Sequence, residues 1–152
     1  MQKHLIYHFL SDDDLLRISH RIKSIEKTTA GEICVNIKEH LSFFMKQKTI
    51  RELAETEFTK LGLHNTRDKT AVQIFILIPK RQFYILADSG INNKVPEKTW
   101  DVIKNEMQKM FIDGDFNDGI LFGIDRIGKI LAEHFPIKPD DKNEISDRVI
   151  IE

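Results

Sequence analysis

The densest set of candidate ligands in the chain is Asp113-Gly114-Asp115-Phe116-Asn117-Asp118-Gly119. Side-chain oxygens at alternating positions suit a hard cation such as calcium, and the first half of the run imitates an EF-hand loop. The imitation stops there. Counted from Asp113, the place that needs glycine holds Asp118, and the place of the bidentate glutamate holds Ile124. The same run fits a boundary between two helices, with Gly114 closing one and Asn117 or Asp118 capping the next. It also departs from the Asp-x-Asp-x-Thr/Val pattern of a phosphatase, because Asn117 takes the last place and no strand precedes it.

Two further carboxylates stand beside strand-like segments. Asp88 follows Phe83–Ala87, and loops that leave strand ends form the usual binding edge of α/β sheets. Asp68 precedes an apolar run, and a surface turn is the simpler account of it. Cys34 is the single cysteine; it lies mid-strand, and His40 stands where a cysteine phosphatase needs arginine, so a buried thiol is expected. His4 and His8 share the i, i+4 spacing of a helical metal pair, or are two exposed histidines near a terminus. No glycine-rich phosphate loop occurs. Gly119 and Gly123 fall inside a helical pattern, where close packing of the helix on a sheet accounts for them.

These residues need a scaffold, and the pattern supplies one. Ser11 ahead of Asp12-Asp13-Asp14 caps a helix whose apolar stripe is Leu15, Ile18, Ile22 and Ile25. After Gly31, the residues Ile33, Val35 and Ile37 alternate with polar ones, a strand with one wet face. Thr49 and Glu52 form a capping box for a helix that Gly62 ends. The run Ala71–Ile78 is apolar but for Gln73, which marks a strand covered on both faces. Pro79-Lys80-Arg81 turns the chain into a third strand, Phe83–Ala87, and Asp88-Ser89-Gly90 leaves it as a loop. Pro96 opens a third helix and a fourth runs from Asn117 to His134. A strand at Leu5–Phe9 is a further element. The order α-β-α-β-β-α-α predicts an α/β fold: a small mixed sheet sandwiched between helices, three-layer α/β/α, with a parallel first pair. The core should hold Ile18, Ile22, Ile33, Val35, Leu53, Phe58, Val72, Ile74, Ile76, Ile85, Trp100, Ile103, Ile124 and Ile127. Residues 1–136 form one domain, and 137–152 an extended arm or disordered tail.

Composition narrows the function classes. With 152 residues, 41% hydrophobic and 31% charged, the chain can bury a sizeable core. Its 23 basic and 24 acidic residues leave a formal net charge of −1, which argues against nucleic-acid binding. No apolar run is long enough for membrane insertion, and the N-terminus lacks a signal-peptide pattern. A cytoplasmic domain is the expectation.

An ordered set of segments then resembles one family. It comprises Thr29-Ala30-Gly31-Glu32-Ile33, Leu61-Gly62-Leu63-His64, the Ala71–Ile78 strand, Phe83 to Ile91, Trp100, Gly114 to Ile120, and Ala132 to Pro136 with Asp140 to Glu144. Together they are similar to the TPM domain family, shared by a thylakoid lumen protein, a photosystem repair protein and an acetylcholine-receptor modulator. The resemblance covers residues 11–147. It departs from the family pattern at Ala87, where relatives often carry glycine, and at Lys69-Thr70, where they tend to carry Asn-Gly. It implies a helix-flanked mixed sheet, divalent-cation binding, calcium especially, and in plant members acid phosphatase activity. Matched residue by residue, it points to Asp88, Asp115 and Asp118 as ligands of one cation, provided that the edge at Asp88 faces the loop before the last helix. The expectation is a non-catalytic TPM-like module that binds calcium and serves a protein partner; the alternative is a weak metal-assisted phosphatase. No catalytic residue is assigned.

Overall fold

The computed structural model describes residues 5–139 and 149–152. His4 and residues 140–148, which belong to the expected arm or tail, lie outside them. Helix α1 (Asp12–Glu26) starts with a reciprocal capping box: the Asp14 amide donates to the Ser11 hydroxyl, and the Ser11 amide donates to Asp14. Helix α2 (Ile50–Lys60) repeats the device with Thr49 and Glu52. Gly62 then takes φ 71°, the left-handed step that ends α2 at no steric cost.

Strands β1 (Glu32–Lys38) and β2 (Ala71–Leu77) pair in parallel, and β3 (Gln82–Ala87) returns antiparallel to β2. A fourth strand, β4 (Val149–Ile151), lies parallel to β1, giving the order β3-β2-β1-β4. Part of the expected tail is thus built into the sheet. Its seat makes physical sense: β1 would otherwise expose a row of unpaired backbone groups.

Ile33, Val35, Ile37, Val72, Ile74 and Ile76 pack in one large apolar cluster with residues of α1, α4 (Thr99–Ile112) and α5 (Phe116–His134). Cys34, Ala71, Phe75 and Leu77 point to the other face, against Leu53, Ala54 and Phe58 of α2. All fourteen core residues expected from the sequence are buried. The wet face expected of β1 does not exist: Cys34 and Asn36 are fully buried, Cys34 against Phe58 of α2 and Asn36 between Phe75 of β2 and Ile150 of β4.

Other differences are local. Leu5–His8 is a 3-10 turn rather than a strand; the Ile6 amide donates to Glu39 at 3.0 Å, and its carbonyl closes the turn onto Phe9 and Leu10. Asp88-Ser89-Gly90 is not a loop. Asp88 caps a short helix, α3 (Ser89–Asn92), and the Trp100 indole donates to Asn92, seating α4 against it. Pro96 therefore precedes α4 instead of opening it. Gly119 and Gly123 make room for another helix and not for the sheet: a methyl on Gly119 would meet Phe111, and one on Gly123 would meet Met107, both on α4.

Candidate functional site

The turn after β2 decides where chemistry can gather. Ile78–Lys80 form a 3-10 turn, and Arg81 completes it in the left-handed region at φ 51°, ψ 45°. This conformation lets a hairpin close, but glycine or asparagine adopts it far more cheaply. Arg81 thus stands, exposed, at the edge where the parallel pair ends, which is where open α/β sheets bind ligands.

Aromatic rings form the ground beside it. The Phe83 ring lies 5.0 Å from that of Phe111, Phe111 lies 4.6 Å from Phe116, and Phe116 lies 5.2 Å from Phe9. Between the hairpin and these rings opens a cavity of about 330 Å³, with Arg81, Gln82, His8 and Gly114 at its margin. On the other side of Phe83 a cleft of about 510 Å³ adds Lys104, Gln108 and Ile50, the first residue of α2. The Lys104 ammonium sits 5.5 Å from the ring centres of both Phe83 and Tyr84, a cation–π placement that leaves its charge facing the cleft rim. Sequence reasoning passed over this region. The signal was there: an arginine at the end of a tight hairpin turn, at the carboxyl edge of a parallel pair.

The acidic turn borders the same cavity. Asp113 closes α4, Gly114 reverses the chain at φ 86°, and the Asp115 amide donates to the Met110 carbonyl. Asp115 occupies the cap position of α5, yet its side chain makes no capping bond; Asn117 and Asp118, expected as caps, lie inside the first turn. Asp113, Asp115 and Asp118 are exposed. The Asn117 Oδ1 is buried and finds no hydrogen-bond donor.

Asp88 belongs to the other edge. It leaves β3 where β1 and β2 begin, and its amide donates to the Ala71 carbonyl. The Asp88 Oδ1 accepts from the Ser89 amide at 2.7 Å, while Oδ2 is buried without a donor. Strand β3 alone spans about 17 Å, so the sequence-derived site of Asp88, Asp115 and Asp118 does not form as one unit. The reason is direction. Helix α4 starts beside α3, near Asp88, and runs back to Phe111 at the opposite end of β3, carrying the acidic turn away from Asp88. Asp68 lies on the Asp88 side, its carbonyl against Gly90, and pairs with Arg67. Among the described residues, no three His, Cys, Asp or Glu side chains converge as a metal site. Cys34 is buried against Phe58, Leu63 and Ala71. No helix among the described residues is long and apolar enough to cross a membrane.

One buried ion network anchors the last strand. The Lys38 ammonium contacts Glu57 at 3.0 Å and Glu152 at 3.3 Å. Burial alone would lower its pKa; the two carboxylates outweigh burial and hold it above the ordinary 10.5.

A sequence model of the TPM domain matches residues 7–130. No curated protein sequence matches the chain. Among solved structures, it is similar to the BA42 protein from the psychrophilic bacterium Bizionia argentinensis, at 30% identity and a TM-score of 0.83, covering 95% of this chain and 96% of that one. Two more distant structures share the fold at 16% identity. They are the N-terminal domain of a P. gingivalis protein (TM-score 0.67, covering 86% and 83%) and that of the cg2496 protein from Corynebacterium glutamicum (0.58, covering 80% and 74%).

Proposed function

Because this chain belongs to the TPM domain family, we propose that it is a non-catalytic binding module whose working edge is the one where β1 and β2 end. A divalent cation, calcium by its ligand chemistry, is held loosely at the acidic turn by Asp115 and Asp118 and serves contact with a protein partner. The observation that carries this reading is the turn itself. Two carboxylates and the undonated Asn117 oxygen lie within four residues of one another at the start of α5, and no described lysine or arginine pairs with them. All the side-chain donors are oxygens, which fits a hard cation with water completing its shell. Asp88 is not part of this site.

Such a frame binds weakly, at about 10⁻⁴–10⁻³ M. At tenfold excess over that value, calcium should stabilise the fold by about 1.4 kcal/mol, a rise of roughly 3–6 °C in Tm. Asp118→Asn should abolish most of the rise, and Asp88→Asn should leave it intact. An unchanged Tm at ~10 mM calcium, or a rise lost only in the Asp88 variant, would overturn the assignment.

A second reading, metal-assisted phosphatase, is favoured by one feature: cationic Arg81 lines the cavity that also reaches Gly114 of the acidic turn. Turnover of a generic phosphate ester that depends on both calcium and Asp118 would select it over the module.

A further inference from the structure

The cleft around Arg81 has a chemistry of its own, independent of any cation at the acidic turn. We propose that it binds a small organic anion that joins a carboxylate or phosphate to a flat apolar group.

Three observations carry the proposal. First, the cavity has the volume of a small-molecule site, about 330 Å³, and its floor is the Phe83, Phe111 and Phe116 cluster, which offers ring faces and edges to a planar group. Second, cations stand at this cavity and at the cleft of about 510 Å³ that shares Arg81, Gln82, Phe83 and Phe111 with it. Arg81 faces both clefts and Lys104 faces one, and neither makes an ion pair among the described residues. Gln108 adds an amide that can donate to a bound oxygen. Guanidinium is the group that matches a carboxylate or phosphate with two parallel N–H bonds. Third, Arg81 occupies a backbone conformation that penalises it. The turn would close more cheaply with glycine at φ 51°, so the local backbone does not itself call for an arginine here. Lys104 stacks on Phe83 and Tyr84, which fixes its ammonium at the rim while leaving its N–H groups free for a ligand.

Arg81→Gly should relax the turn while removing the ligand's partner, so stability and binding should move in opposite directions. The full chain, labelled with ¹⁵N, is titrated with 2-naphthoate, with 2-naphthyl phosphate and with uncharged 2-naphthol. Binding in about the millimolar range is expected from the two anions, with amide shifts centred on Arg81, Phe83, Phe111 and Gly114. Which anion binds more tightly identifies the head group. Arg81→Gly should keep or raise the Tm and weaken binding at least ~10-fold, and Lys104→Gln should weaken it by less. Equal affinity for 2-naphthol, unchanged affinity in Arg81→Gly, or shifts centred elsewhere would overturn the proposal. If calcium fails to bind while the anions do, only the reading of the acidic turn falls.

Discussion

Asp88 and Asp115 flank β3 at opposite ends: Asp88 caps α3 where the parallel strands begin, and Asp115 starts α5 beside the rings that pack on Phe83, where they end. The two carboxylates therefore act on different elements. Asp88→Ala removes the acceptor for the Ser89 amide and should cost about 0.5–2 kcal/mol. Thermal or urea unfolding measures it. A loss seen only when calcium is present would contradict a purely structural role for Asp88.

Gly90 and Gly123 should answer differently to the same added methyl. On Gly90 it would run into the backbone carbonyls of Asp68 and Lys69, which cannot turn aside. On Gly123 it meets the Met107 side chain, which can change rotamer. Gly90→Ala should thus cost about 3 kcal/mol or more, and Gly123→Ala at most ~1–2 kcal/mol after the helix gains from alanine. Equal Tm losses in the two variants would show that the 68–69 segment yields.

The face under α2 holds a polar residue that packing does not need. Gln73 is fully buried, and neither Oε1 nor Nε2 meets a hydrogen-bonding group. Replacing it with methionine keeps the length and removes the cost of an unmet amide, so Gln73→Met should raise stability by about 1 kcal/mol, or roughly 2–4 °C. A fall in Tm would mean that the amide is bonded in solution.

The ion network at Lys38 sets an alkaline limit on β4. Its folded pKa lies above 10.5, so the ion pairs stabilise fully below that value, and the contribution is lost as pH rises through the higher folded value. Backbone amides of 149–151 should lose hydrogen-exchange protection over that interval before the β2–β3 pair does. Lys38→Met leaves Glu57 buried without its cation and should cost about 2–3 kcal/mol at neutral pH. In that variant the alkaline loss should flatten, and a slope identical to the parent chain's would rule out Lys38 as its source.

How much of this was legible in the sequence follows from the range of each signal. The Ser11 and Thr49 caps, the left-handed step at Gly62 and the phase of Ile33, Val35 and Ile37 are set within a few residues, so they could be read locally. The burial of Asn36 could not, because it depends on strands brought alongside from far along the chain, β2 on one flank and β4 on the other. Val149–Ile151 is three apolar residues in a charged stretch, and only the open flank of β1 makes them a strand. Asp115 and Asp118 were found as an acidic turn, but their separation from Asp88 depends on α4 running back along β3. In the sequence Arg81 is only part of a turn, since its importance comes from the rings that three other segments bring beside it.

The seat of β4 on β1 also has a consequence in time. Val35 pairs with Val149, and the ion pair from Lys38 to Glu152 spans 114 residues of chain. At the usual pace of synthesis, about 5–20 residues per second, β1 leaves the ribosome roughly 6–23 s before its outer neighbour exists. During that interval β2 and β3 can already line its inner side, while the outer side offers bare amides and carbonyls to any extended nascent segment nearby. The vulnerable period of this protein is thus its own translation, and slowing the ribosome over the last turns of α5 should lengthen it.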